Sequence, residues 1–140
     1  MRPPDFVIGP REHPYLLRWW LIPRNRFFNI YLHKILRDDD DRALHDHPWW
    51  NLSVVLAGGY LEVERDRTSY RGPGSFVLRR PSLAHRLVLP IRNGGIRWCW
   101  TLFITGPRLR NWGFHCPKGW VPWREFVQES DHGNVGRGCP

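Results

Sequence analysis

Glycine-marked turns cut the middle of this 140-residue chain into short segments, and that spacing constrains the fold more than any other feature. Gly58-Gly59, Gly72-Pro73-Gly74 and Asn93-Gly94-Gly95 each interrupt runs rich in β-branched and aromatic residues. Glycine supplies the positive φ of tight turns and proline presets their first corner, so each cluster predicts a hairpin turn. The runs between them predict strands over 27–34, 44–49, 52–57, 60–64, 75–80, 85–89 and 96–104. No long window of this region repeats at the helical period. Short helical turns are expected over 15–21 and 123–128, residues 1–14 are expected to drape over the surface, and 130–140 to fray. The pattern predicts an all-β sandwich or barrel forming a single domain over 1–140.

Several of these strands are apolar on both sides. In "IRWCWTLFI", Trp98, Trp100, Leu102 and Ile104 alternate with Cys99, Thr101 and Phe103. Such a strand suits a closed or two-layered sheet around an interior cavity. Nine tryptophans need a core, a cavity or a partner surface to cover them, and Trp98 and Trp100 are candidates to floor the cavity.

Charge and cysteine content narrow the function classes. The formal net charge of +8 comes almost wholly from arginine. It fits a basic surface or a small anionic substrate; nucleic acid is the weaker reading, since no basic block and no zinc-finger, RNA-binding or helix-turn-helix pattern accompanies it. Pro23, Arg24, Arg26 and Lys34 interrupt the most apolar stretch well short of a membrane span, and "MRPPDFVIGPREHP" has no apolar leader, so no membrane association is expected. Cys99, Cys116 and Cys139 are an odd count without a CxxC pair, a poor disulfide framework that points to a reducing cytoplasm.

The chemistry is carried by "RALHDHPWWNLSVVLAGG". On a strand, residues i and i+2 share a face, so His45 and His47 project side by side, and two imidazoles can converge on one ion at about 2.0–2.1 Å each. Trp49, Asn51, Ser53 and Val55 continue that face, and Asp46 points away. In "RRPSLAHRLVL", His85 opens another strand behind a proline-bounded turn, sharing a face with Leu87 and Leu89. By themselves His45 and His47 fit either a pair of metal ligands or an ordinary polar strand end, and His85 is the further histidine that can join them. Asp38–Asp41 lack the glycine-spaced pattern of a calcium loop and read as a solvated turn; Glu62, in phase with Glu64, reads as solvent-facing.

These histidines sit in a pattern that resembles the cupin superfamily. His45-Asp46-His47, Asn51 and Gly58 follow the spacing of its first motif; Gly74, Pro81 and His85 follow its second. Asp39 stands where that first motif begins with glycine, Asn51 replaces its glutamate ligand, the step from Pro81 to His85 is one residue short, and Leu89 replaces a closing asparagine. More loosely, the chain looks like small bacterial and phage cupin-like proteins. The resemblance implies a cupin-like jelly roll with a core of about residues 27–105, an N-terminal extension over 1–26 and a C-terminal one over 106–140.

With Asn51 in place of the carboxylate, the resemblance implies a three-histidine site like that of thiol-dioxygenase-type cupins. The expected cofactor is one divalent transition metal, Fe(II) favoured over Zn, Ni or Mn, acting with O₂ on a small anionic substrate. Arg42 and Tyr31 are the candidate catalytic residues, and Arg86, Asn51 and Trp100 the candidate substrate-binding residues; Arg80 also flanks His85, and His33 shares the face of Asn29 and Tyr31. The alternatives are a non-redox metal isomerase or lyase and a non-enzymatic binding jelly roll. Cupins commonly pair through their sheets, so a homodimer is also in view.

Overall fold

Strict alternation builds the central strands. β3 (Asn29–Ile35) buries Asn29, Tyr31, His33 and Ile35, and β5 (Asn51–Ala57) buries Asn51, Ser53 and Val55. Both pair antiparallel with β12 (Cys99–Thr105), which buries Cys99, Thr101 and Thr105 between them. All three strands thus turn polar side chains inward, which a dry core would not tolerate without partners. The computed structural model describes residues 1–38, 43–92, 95–96, 98–128 and 135–140.

The remaining strands are β1 (Phe6–Ile8), β2 (Leu16–Trp20), β4 (Leu44–His45), β6 (Tyr60–Val63), β7 (Thr68–Arg71), β8 (Phe76–Arg79), β9 (Arg86–Val88), β10 (Ile91–Arg92), β11 (Gly95–Ile96), β13 (Gly113–Cys116) and β14 (Gly119–Pro122), followed by one helical turn, α1 (Trp123–Phe126). A six-stranded sheet runs β1-β2-β3-β12-β5-β8; three-stranded sheets run β7-β6-β9 and β14-β13-β4; β10 and β11 form a hairpin. Among the described residues no sheet closes on itself, so the fold is a cupin-like arrangement of antiparallel sheets and the expected barrel is not a closed one. One apolar cluster centres on Leu16, Ile35, Val55, Tyr60 and Cys99, and a second on Phe114, Phe126 and Val127 beneath the C-terminal strands.

Two of the three glycine clusters act differently from the hairpin expectation. Gly58-Gly59 leads from β5 to β6, and Gly72-Pro73-Gly74 from β7 to β8, strands of different sheets. They are corners at which the chain changes layer; the hairpin expected near residues 93–95 is the β10–β11 pair, with Asn93 and Gly94 outside the described residues. Gly58 has φ +74° and a Cβ there would stand 2.3 Å from the Trp98 carbonyl oxygen, so this corner admits no side chain.

The chain ends are more structured than expected. The helical turn expected over 15–21 is strand β2, paired on both sides, and the N-terminal segment contributes β1 to its edge. Pairing to β3 overrides local preference there. The turn expected over 123–128 is present as α1. At the C-terminus Val135 bridges Val127, and Cys116 is disulfide-bonded to Cys139. This corrects the reading of the cysteines: an odd count conceals a single bridge, because the third, Cys99, lies alone in the core. Burial pushes the Cys99 thiol up to about 12, which keeps it inert. The cytoplasmic placement rested on the cysteine count and loses that support.

Candidate metal centre and cavity

His45, His47 and His85 reach one point by three routes. His45 ends β4 and forms an isolated antiparallel bridge with His85, their backbones exchanging N–H···O bonds of 2.9 and 3.0 Å. His47 lies beyond β4, held by its N–H on the Pro81 carbonyl. The expected strand over 44–49 therefore stops at His45, yet the alternation survives: Asp46 points the other way. Its carboxylate accepts from Gly113 N (2.8 Å), Trp120 Nε1 (3.0 Å) and His115 Nε2 (3.0 Å), and pairs with Arg110. Asp46 thus anchors the β13–β14 hairpin and turns the two imidazoles inward.

One potential ligand atom from each histidine lies within 4.8 Å of the others. The ring centroids are 4.9–5.2 Å apart. Burial lowers His45 and His85 to about 4, against the pull of the Asp46 charge on the first and the Glu62 hydrogen bond on the second. Burial, reinforced by the other two imidazoles, holds His47 well below its ordinary value. All three rings are therefore neutral at pH 7, the state that ligates a metal. His47 Nδ1 is buried without a hydrogen-bond partner. Neutral, converging imidazoles, with the His47 Nδ1 unpartnered, are a donor set that fits a divalent transition metal.

The partner that orients His85 is Glu62, which the strand phase had assigned to solvent. It is 1% exposed, whereas Glu64 pairs outside with Arg67. Burial raises the Glu62 carboxyl, but hydrogen bonds from His85 and Arg79 and the Arg79 charge outweigh it and hold the group well below the usual carboxylate range. An ionised carboxylate only accepts, so His85 donates Nδ1–H to Glu62 Oε2 at 2.6 Å and leaves Nε2 for a metal. Glu62 Oε1 accepts from Arg71 and Arg79.

Arg79 is the other residue missed. It is 2% exposed and spends all five N–H donors on the protein: two on Glu62, the others on Asn51 Oδ1 (3.0 Å), Ser53 Oγ (2.7 Å) and Tyr60 OH (3.0 Å). Asn51, expected at the substrate, has its side-chain oxygen engaged by Arg79 and its Nδ2 buried without a partner. Arg79 pairs with Asn51 across β5 and β8, a register that the neighbouring Arg80 disguised in sequence. Alternation from the exposed Phe76 and Leu78 was the available signal for an inward Arg79.

The three histidines open onto a cavity of about 420 Å³. Trp20, Trp49, Phe103, Trp112, Phe114 and Trp123 supply its aromatic walls, and Arg18, His33 and Thr101 are among its polar lining residues. Tyr31, Arg86 and Trp100 lie outside that lining. Tyr31 is buried behind His33, their rings 5.9 Å apart. Trp100 stacks on Trp19 at 5.7 Å on the far side of β12, whose Thr101 and Phe103 take the place expected of it, and Trp98 is 56% exposed. Arg86 alternates with Leu87, which is the residue of β9 that reaches the cavity. Arg42 lies outside the described residues, as do Asp39 to Asp41; Asp38 accepts the Leu89 N–H. Trp123 of the C-terminal segment closes part of the wall, stacked on Trp112 at 5.9 Å.

The sheet arrangement has the cupin fold, as its likeness to solved structures shows, and it carries a three-histidine cluster able to hold a metal ion. No protein-family profile matches the sequence, and no curated protein does. Solved structures do. The chain is similar to a cupin superfamily protein of Desulfitobacterium hafniense (TM-score 0.53, 15% identity, covering 66% of this chain and 77% of that one). It is similar to the polyketide cyclase RemF of Streptomyces resistomycificus (0.55, 21%, 76% and 70%) and to the DMSP lyase DddQ of Ruegeria pomeroyi (0.59, 15%, 85% and 61%). At these identities the likeness concerns the fold, which carries many chemistries.

Proposed function

We propose that the protein is a metal-dependent enzyme in which His45, His47 and His85 hold one divalent transition metal beside a cavity for a small anionic substrate, with Fe(II) and O₂-dependent oxidation the favoured chemistry. The observation that carries it is the absence of a carboxylate ligand among the described residues: Glu62 is saturated by Arg71, Arg79 and His85, and Asp46 is turned to the β13–β14 hairpin. Three neutral imidazoles leave the ion its full double charge, so an anionic substrate is the natural completing ligand. A bound Fe(II) would supply O₂ chemistry, and Zn or Ni would supply Lewis acidity toward a carbonyl.

The chain's own residues set the rest. Glu62 and Arg79 hold His85 in one tautomer, Asp46 fixes the approach of His45 and His47, and the aromatic walls keep water from the reacting face. The roles expected of Tyr31, Arg86 and Trp100 pass in this reading to residues that line the cavity. The similarity to a polyketide cyclase and a DMSP lyase favours the Lewis-acid alternative as the second reading. A homodimer is part of the proposal: β8 is an edge strand whose Phe76 and Leu78 are 76% and 71% exposed. Sedimentation equilibrium at micromolar concentration should show a dimer.

Elemental analysis of untagged protein and of a variant with His45, His47 and His85 all changed to Ala tests the centre. Near-stoichiometric iron, lost in the variant, together with O₂ uptake on addition of thiols or diketones, is the expected result. Zinc or nickel with no O₂ uptake moves the assignment to Lewis-acid chemistry. No metal in either protein, even after reconstitution, would sink the proposal.

A further inference from the structure

The cavity contains a cation that no carboxylate among the described residues neutralises. Arg79 also lines it, but every donor of Arg79 is used internally. Arg24 is exposed at the rim, 5.5 Å over the Trp20 ring. Arg18 is different. It sits on β2 among apolar lining residues, donates Nε–H to His33 Nε2 at 2.9 Å, and lies with its guanidinium carbon 4.5 Å above the Tyr31 ring. Among the described residues no carboxylate pairs with it; Asp5, one position from it on the adjacent strand, is taken by Arg2 and the Trp20 N–H. Burial lowers this guanidinium to about 10, and the Arg24 charge adds to the cost.

His33 reinforces the asymmetry. Because arginine only donates, His33 Nε2 carries a lone pair and the ring is neutral; burial, then the Arg18 charge, holds it well below its ordinary value. His33 therefore orients Arg18 without cancelling its charge. With Nε committed, Nη1 and Nη2 remain as the end-on fork that matches the two oxygens of a carboxylate. Between this fork and the metal cluster run aromatic rings: His33 to Phe103 at 5.0 Å, Phe103 to His47 at 6.4 Å, and Trp49 at 5.6 Å from Phe103.

We propose that the cavity selects apolar carboxylates, aromatic ones above all, with the carboxylate on Nη1 and Nη2 of Arg18 and the body lying along Phe103 and Trp49 toward the three histidines. This names the substrate class of the metal site and rests on that reading for its reacting end alone. Arg18 is the specificity-determining residue, in place of the substrate-binding candidate Arg86, which lies outside the cavity lining.

The test is calorimetric titration of the chelator-treated full chain with benzoate, phenylacetate, 2-naphthoate and 4-phenylbutanoate, each compared with its carboxamide. At least one carboxylate should bind roughly tenfold to a hundredfold more tightly than its amide, the worth of a two-pronged charged contact. Arg18→Gln should abolish that preference and Arg18→Lys should weaken it, while Arg24→Gln and Arg86→Gln, the latter outside the cavity lining, leave it in place. Thermal melts check folding: Arg18→Gln removes a part-buried charge that no carboxylate pairs with among the described residues, so it should melt no lower than wild type and lose stabilisation by the carboxylate. No carboxylate preference in wild type, or an undiminished one in both Arg18 variants, would overturn the proposal. Metal uptake is measured separately. Carboxylate preference without metal uptake sinks the metal reading alone, and metal uptake without preference sinks this one alone.

Discussion

The carboxylate of Glu62 touches two arginines and one imidazole, and each contact does different work. The His85 hydrogen bond and Arg79 keep it ionised, Arg71 donates to Oε1, and the ionised carboxylate fixes which nitrogen of His85 carries the proton. Glu62→Gln keeps the shape but removes the charge that compensates the buried Arg79. We expect metal affinity to fall about 10- to 100-fold, as for loss of an orienting partner, measured by competition with a chelating dye. Stability should fall by about 3–5 kcal/mol, because a buried guanidinium loses its counter-charge, measured by urea unfolding. A variant that binds metal as wild type does would show that His85 needs no such partner.

At the scale of elements, the corners between layers matter more than the strands they join. Gly58 carries β5 into the sheet of β6, with its missing side chain against the Trp98 carbonyl. Gly58→Ala adds both an unfavourable φ and that collision, and should cost about 1–3 kcal/mol, whereas Gly74→Ala, with φ +86° but open space around it, should cost less. Chemical denaturation of the two variants checks the order. The disulfide closes the other end of the molecule: Cys116 and Cys139 are 23 residues apart and hold the C-terminal segment against β13. Reduction, or Cys139→Ser, should cost about 2–4 kcal/mol and loosen the wall that contains Trp123. A melting temperature unchanged by dithiothreitol would show the bridge to be dispensable.

For the molecule as a whole, the cavity makes stability depend on pH. His45 and His85 have folded values of about 4, below the ordinary 6.5 of an unfolded chain. Above pH 6.5 both states leave these rings neutral, and their contribution to stability is fully present. As pH falls from 6.5 toward 4 the unfolded chain takes up protons that the folded one refuses, so the metal-free protein should lose about 1.4 kcal/mol per pH unit for each such ring. Glu62 acts in a separate, lower window, since its depressed carboxyl stabilises the fold above its ordinary value and is lost as pH falls further. Urea titrations of chelated protein from pH 7.5 to 4.5 should show this decline, and bound metal should delay it by mass action. A flat profile between 6.5 and 4.5 would mean that the rings are not held neutral. No described helix is long and apolar enough to cross a membrane.

Turn residues and strand alternation, both local properties, were enough to read an all-β chain and the shared faces of β3 and β5, while joining His85 to His45 and His47 took the family resemblance as well. Those signals depend on backbone stereochemistry and on period, which a sequence displays directly. What the sequence does not display is which strand lies beside which. Only the tertiary structure decided that Gly58-Gly59 and Gly72-Pro73-Gly74 change layers, that β2 is a paired strand, and that Cys116 reaches Cys139. It also decided the polar interior. Arg18 meets His33, 15 residues on, through the pairing of β2 with β3, whereas Glu62 and Arg79, 17 residues apart, come from two different sheets and meet in the interior between them. Read singly, each charge belongs in water; each is buried because a partner from another strand, or a ligand still to be found, makes burial affordable.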